Sequence, residues 1–218
     1  MPDLSNAAAD YHRWYYDSQV WMSMTYRGVP IQKWLGDLWN YQEIICWLEP
    51  QLVVEFGSLC GGSALYFADL LSRVRPGSVV LAVDVSLNRL HERARQHAGI
   101  QWMQADSASP LVAERIRSLR GERPGPAFFI VDSDHSKGHV LAELENLRDV
   151  TEPGDYVIVE DGNINGHPVL PGWGEGPYEA LTEYFLLHPD DYREDTEREM
   201  KFGFTFAPRG FLVRQVAG

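Results

Sequence analysis

The sequence predicts an α/β fold: a seven-stranded, mostly parallel sheet covered by helices, ending in an antiparallel hairpin and preceded by a helical extension. Three observations carry this reading. Short β-branched runs alternate with helix-patterned stretches through the middle of the chain. Those runs are apolar on both faces, which is the mark of a parallel sheet covered on both sides. The C-terminal end then breaks the alternation with two apolar runs around a short proline-containing turn.

Residues 1 to 50 lie outside the predicted sheet and are rich in aromatics: Tyr11, Trp14, Tyr15, Tyr16, Trp21 and Tyr26. They suit packing against helices or a second subunit, or a lid over a substrate. Asp37 to Leu48 reads as an amphipathic helix. The domain proper, 51–218, opens with Leu52-Val53-Val54-Glu55-Phe56, a buried strand followed by glycine. A helix from Ser63 to Arg75 has apolar residues at helical spacing and is stopped by Pro76-Gly77. Strands follow at Ser78–Asp84, Ile100–Gln104, Ala127–Asp132 and Tyr156–Glu160. Between them helices are expected over 88–98, 110–119 and 138–148. After a helix at 178–187, Phe202–Phe206 and Gly210–Val216 form the expected hairpin around Ala207-Pro208-Arg209.

Composition excludes several functions. The 218 residues carry a formal charge of −12, and phosphate neutralisation by a nucleic-acid binder needs clustered Lys and Arg. Anionic membranes are disfavoured for the same reason. No apolar run reaches the ~20 residues of a spanning helix, and the polar, acidic N-terminus does not read as a signal peptide. Cys46 and Cys60 show no metal spacing, which suits a reducing cytoplasm. What remains is a cytoplasmic enzyme or binding domain.

The first chemical signal is the turn Glu55-Phe56-Gly57-Ser58-Leu59-Cys60-Gly61-Gly62-Ser63, where a strand becomes a helix. Glycines there let a ligand approach the backbone, and ligands of open α/β sheets bind at the carboxyl ends of strands. The spacing is neither GxGxxG nor a P-loop, and no lysine follows to hold a phosphate. Asp84 closes the second strand 22 residues after Gly62, where an acid accepts from ribose hydroxyls in nucleoside-binding folds. The E-x-G-x-x-x-G-G turn resembles motif I of class I methyltransferases, which bind S-adenosylmethionine (SAM). On that resemblance Glu55, Gly57, Ser58, Gly61, Gly62 and Ser63 hold the methionine end, Asp84 the ribose, and Asp106 and Ser107 the adenine. A nicotinamide-dependent oxidoreductase is the rival enzyme reading, and a catalytically silent SAM-binding protein the rival outside enzymes.

The second signal is acidic. One strand ends Asp132-Ser133-Asp134-His135-Ser136-Lys137, another Glu160-Asp161-Gly162-Asn163. Carboxylates meeting at neighbouring strand ends cannot all stay ionised without a cation. All-oxygen ligation suits Mg2+ rather than zinc. A metal there lowers the pKa of a substrate hydroxyl, and His135 is the candidate proton acceptor; Lys137 is a less favoured one. His167 and the loop Pro171–Pro177 are candidates for the acceptor pocket.

Taken together, Tyr26–Pro30, Asp37–Glu43, Glu55–Gly57 with Gly61–Ala64, Asp132–Ser136 with His139–Leu141, Val159–Asp161 with Asn163 and Asn165–Pro168, and Pro208–Leu212 resemble the cephalosporin hydroxylase / rhamnosyl O-methyltransferase family. The resemblance spans roughly 25–216. It implies a class I methyltransferase fold, SAM as cofactor (with Asp132 beside it), and Mg2+ held by Glu160, Asp161 and either Asp132 or Asp134. It also implies His135 as base and a hydroxylated small-molecule acceptor, sugar-bearing or polyketide-like. Iron-dependent hydroxylation finds no facial triad in the sequence. Self-association is expected because relatives often assemble, and Cys60 has no assigned role beyond packing.

Overall fold

In the computed structural model, which describes residues 4–216, seven strands form one sheet in the order β5-β4-β3-β6-β7-β9-β8. They are β3 (Leu52–Phe56), β4 (Val79–Asp84), β5 (Ile100–Gln104), β6 (Ala127–Val131), β7 (Tyr156–Val159), β8 (Tyr192–Glu194) and β9 (Phe211–Arg214). β3 to β7 run parallel; β9 pairs antiparallel with both β7 and β8. The order reverses between β3 and β6, so the crevice for a ligand opens above their carboxyl ends.

Side-chain alternation sorts each strand between two cores. Leu52, Val54 and Phe56 of β3 join Ala127, Phe129 and Val131 of β6 on one face. They pack under α5 (Pro110–Glu122), α6 (Lys137–Arg148) and α7 (Pro177–Leu187). Val53, Phe128 and Ile130 face the other way, against α2 (Leu35–Leu48) and α3 (Gly62–Val74). Glu55 falls on that second face with no exposure at all, a carboxylate set in an apolar layer.

The N-terminal segment wraps the crevice. It comprises α1 (Leu4–Asp17), a 3₁₀ turn at Val20–Ser23, and a ribbon of β1 (Thr25–Tyr26) and β2 (Val29–Pro30). Arg27 and Gly28, both at positive φ, form the two-residue turn that such a ribbon requires. Tyr15, Trp34, Phe204 and Phe206 make a separate aromatic core, with Tyr16 and Trp21 against it.

Two expected elements differ. The predicted strand at 202–206 is not one: β9's antiparallel partner is Tyr192–Glu194, and α8 (Thr196–Met200) and a long loop intervene. The reason is competition for backbone donors. Asp37, buried in α2, accepts from the Thr205 hydroxyl (2.6 Å) and from the Phe206 N–H (2.9 Å), while the alternating Phe204 and Phe206 fill the aromatic core instead of a sheet face. The helix expected over 88–98 shrinks to α4 (Glu92–Arg95). Asp84 captures the Ser86 N–H, and the His91 N–H is taken by the Cys60 carbonyl, so the chain folds back onto the glycine turn first. Among the described residues no helix is long and apolar enough to cross a membrane.

Candidate active site

The glycine turn is shaped by close approach. Gly57 sits at φ +85°, and a Cβ there would lie 1.9 Å from the Asp132 carbonyl oxygen. Only glycine lets the ends of β3 and β6 converge at that point. At Gly62 a Cβ would lie 2.2 Å from the Pro30 carbonyl oxygen, so the N-terminal ribbon presses on the start of α3. The Leu59 N–H donates to Asp84 Oδ2 at 2.8 Å, which fixes the turn to the end of β4.

Two cavities flank this turn and share Gly57, Asp84 and Ser133 in their walls. One, of about 370 Å³, is lined by Val85, Ala105, Asp106, Ser107, Asp134 and His139. The other, of about 460 Å³, reaches from Ser58, Cys60, Gly62 and Ser63 past Asp132, His135 and Asp161 to Tyr16, Trp21, Trp173 and Phe206. The two cavities meet at these shared residues and form one trough along the strand ends. Ser107 is held from below: its hydroxyl donates to Ser133 Oγ (3.1 Å), whose own hydroxyl donates to the buried Glu143 (2.6 Å). His139 Nε2 lies 3.0 Å from Ser107 Oγ and 3.5 Å from Glu143. The Glu143 carboxylate raises the pKa of His139 against its partial burial.

At the other end of the trough, one ligand atom each from Asp132, His135 and Asp161 lie within 4.8 Å of one another. His135 Nε2 is 3.3 Å from Asp161 Oδ2. Asp134 stands apart; its Oδ1 accepts from the Ser136 N–H at 2.8 Å, and these Ser136 bonds hold its pKa down. Glu160 is also outside the three, because Lys33 claims it: Lys33 Nζ is 2.7 Å from Glu160 Oε1 and pairs with Asp132 Oδ2 as well. Lys33 is 2% exposed. Burial alone would lower its pKa, but Asp132, Glu160 and Glu55 outweigh that and raise it. Burial pushes Glu55 up to about 7, against the pull of Lys33, and pushes Asp161 up to about 6 despite nearby His135. Burial and Asp132 together raise Glu160.

Two expected site residues fall elsewhere. Lys137 bonds Glu175 and Glu183, which keeps it out of the trough. His167 is 2.9 Å from Glu179 and stacks on Tyr178 with ring centroids 3.8 Å apart; it braces the loop rather than lining the cavity. Of the loop Pro171–Pro177, Trp173 reaches the cavity wall. Two other residues, Lys33 and Glu143, carry no motif. The one signal that could have found Lys33 is its setting: one of three lysines in the chain, lodged in Pro30-Ile31-Gln32-Lys33-Trp34.

A glycine turn at the switch point, an acid closing the next strand, and a final strand inserted antiparallel between its two predecessors define a class I methyltransferase fold. Comparisons agree. A profile of the rhamnosyl O-methyltransferase/CmcI family matches residues 18–215. The rhamnosyl O-methyltransferase of Mycobacterium tuberculosis is 51% identical over 207 residues, covering 95% of this chain and 84% of that one. That of Mycobacterium leprae is 50% identical over 208 residues, covering 95% and 90%. An apo structure of CmcI superimposes with TM-score 0.71 at 25% identity, and a CmcI structure with Mg and SAM with 0.69 at 25%, each covering 90% of this chain and 78% of the other. The chain belongs to the rhamnosyl O-methyltransferase/CmcI family, and is an O-methyltransferase of the class I, SAM-dependent fold.

Proposed function

We propose that this chain methylates a hydroxyl of a sugar-bearing small molecule, using SAM and a divalent cation, Mg2+, at the ends of β6 and β7. The observation that carries the reading is the convergence of Asp132, His135 and Asp161 within 4.8 Å at the wall of the same cavity as the glycine turn. The donor set fits a hard cation. Glu55, Asp132 and Glu160 gather around a single ammonium, with Asp161 within its reach. Burial raises Glu55, Glu160 and Asp161 toward their neutral forms, and Asp132 and Asp161, which line the cavity, are the oxygen ligands a further cation would take. When bound, the sulfonium supplies the methyl group and the cation stabilises the developing alkoxide.

The chain's own residues do the rest. Gly57 and Gly62 let the end of β6 and the N-terminal ribbon close on the turn that lines the cofactor's cavity, and Asp84, at the junction of the two cavities, is set to accept from ribose hydroxyls. Asp106 and Ser107 bound the adenine end. His135 takes the acceptor's proton, and its 3.3 Å contact with Asp161 stabilises the imidazolium that results. Tyr16, Trp21, Trp173 and Phe206 form an aromatic wall suited to a ring with one apolar face and a polar rim. The relatives named as rhamnosyl O-methyltransferases support a sugar as the acceptor. The enzyme's expected setting is the cytoplasm, where SAM is made.

The test is S-adenosylhomocysteine release with a panel of aryl rhamnosides, with and without chelator. The expected result is product in Mg2+, loss in excess EDTA, and recovery on adding Mg2+ back. Undiminished turnover in EDTA refutes the cation; SAM binding with no turnover on any glycoside refutes the acceptor class.

A further inference from the structure

Lys33 comes from the loop between the N-terminal ribbon and α2, yet its ammonium is buried among carboxylates that belong to three different strands: Glu55 of β3, Asp132 after β6 and Glu160 after β7. It contacts two of them directly, Asp132 Oδ2 and Glu160 Oε1. Tyr41 and Asp37 of α2 are the other ionisable groups facing this cluster from the same side, and burial keeps the Tyr41 phenol neutral. Asp132 thus faces two claims. One oxygen is held by Lys33, and the carboxylate also belongs to the group with His135 and Asp161. A carboxylate engaged by an ammonium donates less to a metal, and a positive charge a few ångströms away repels a dication.

We propose that Lys33 is the resident counter-ion of this carboxylate cluster: it holds Asp132 and Glu160 together in the cation-free protein, and it weakens and tunes the binding of the divalent ion by competing for Asp132. Lys33 is on this account a positioning residue. It keeps the ends of β6 and β7 closed before the metal arrives and makes the metal exchangeable afterwards. Because Lys33 lies in the N-terminal segment, metal binding and the seating of that segment become energetically linked. The inference rests on the divalent-cation reading above, and its test separates the two.

The test compares wild type with Lys33→Met, without SAM, using MgCl2 alone as titrant. Calorimetry is expected to give the variant an Mg2+ affinity about tenfold or more above wild type, since removing one charge beside a dication is worth at least that even at an effective dielectric of about 20. The melting temperature is expected to rise more on adding Mg2+ in the variant than in wild type, because the unbalanced carboxylates then depend on the ion. A lysine with a merely structural role lowers both melting temperatures equally and leaves the Mg2+ affinity alone; that outcome overturns the proposal. Mg2+ binding by neither protein overturns the divalent-cation reading and this inference with it. Should the variant not fold, wild type labelled with 15N-lysine carries the test. The chain has three lysines, Lys33, Lys137 and Lys201, of which Lys33 alone is buried. Mg2+ is expected to shift the protected Lys33 ammonium signal; an unmoved signal at calorimetric saturation refutes the competition.

Discussion

His12 offers a quantitative test of how α1 is held. Its side chain is 3% exposed, stacked on Phe204 with centroids 4.3 Å apart, and the Asn163 amide donates to its Nε2 at 2.9 Å. Burial, reinforced by Arg13, drops its pKa from 6.5 to about 4. An unfolded chain binds a proton there below pH 6.5, whereas the folded chain refuses it until about pH 4. The stability His12 contributes is therefore complete above 6.5 and is lost as pH falls toward 4. The full shift corresponds to about 3 kcal/mol, of which about 2 kcal/mol is already gone at about pH 5. His12→Gln keeps a polar atom near Nε2 but cannot titrate. Urea denaturation at about pH 8 and about pH 5 is expected to cost wild type about 2 kcal/mol more than the variant. The raised carboxylates Asp37 and Glu55 titrate in both proteins and cancel in the difference. Parallel pH dependence in the two proteins refutes the burial argument for α1.

Three further substitutions probe the trough. Gly57→Ala places a Cβ at φ +85° against the Asp132 carbonyl; a loss of several kcal/mol (about 2 or more) and of SAM binding is expected, and a wild-type melting temperature with unchanged calorimetric SAM affinity contradicts it. His135→Ala is expected to lower kcat by about a hundredfold or more with SAM affinity nearly unchanged; loss of SAM binding instead makes His135 structural. Trp173→Ala removes an exposed wall of the larger cavity, so KM for the acceptor is expected to rise with SAM affinity and folding intact; an unchanged KM removes Trp173 from the acceptor site.

The parallel core was legible because it is written in local pattern. Leu52–Phe56, Val79–Asp84 and Ala127–Val131 are uninterrupted apolar runs, and a strand buried on both faces has no other good state. Phe202–Phe206 carries the same alternation, but there the decisive partner is Asp37, more than 160 positions away, and periodicity is blind to it. The site divides in the same way. Type and spacing at strand ends pointed to Ser58, Gly62, Ser63, Asp84, Asp132, His135 and Asp161, which line the larger cavity, whereas Glu55 is sealed beneath it. Asp132 and Asp134 are equivalent in a string of letters and differ in the fold: one turns toward Asp161, the other accepts from the Ser136 N–H. Lys33 was passed over because a lone lysine in a sequence is normally a solvated one. Its meaning comes from a contact across 99 positions.

The N-terminal segment touches the site at four separate places. Pro30 presses on Gly62, Lys33 on Asp132 and Glu160, Asp37 on Thr205 and Phe206, and His12 on Asn163. Specificity in this scaffold is thereby not modular. A chimera that exchanges only the downstream loops with a relative inherits mismatched pairs at each crossing. Residues 12–37 and 161–206 have to be grafted together, as one unit, if acceptor preference is to travel with them.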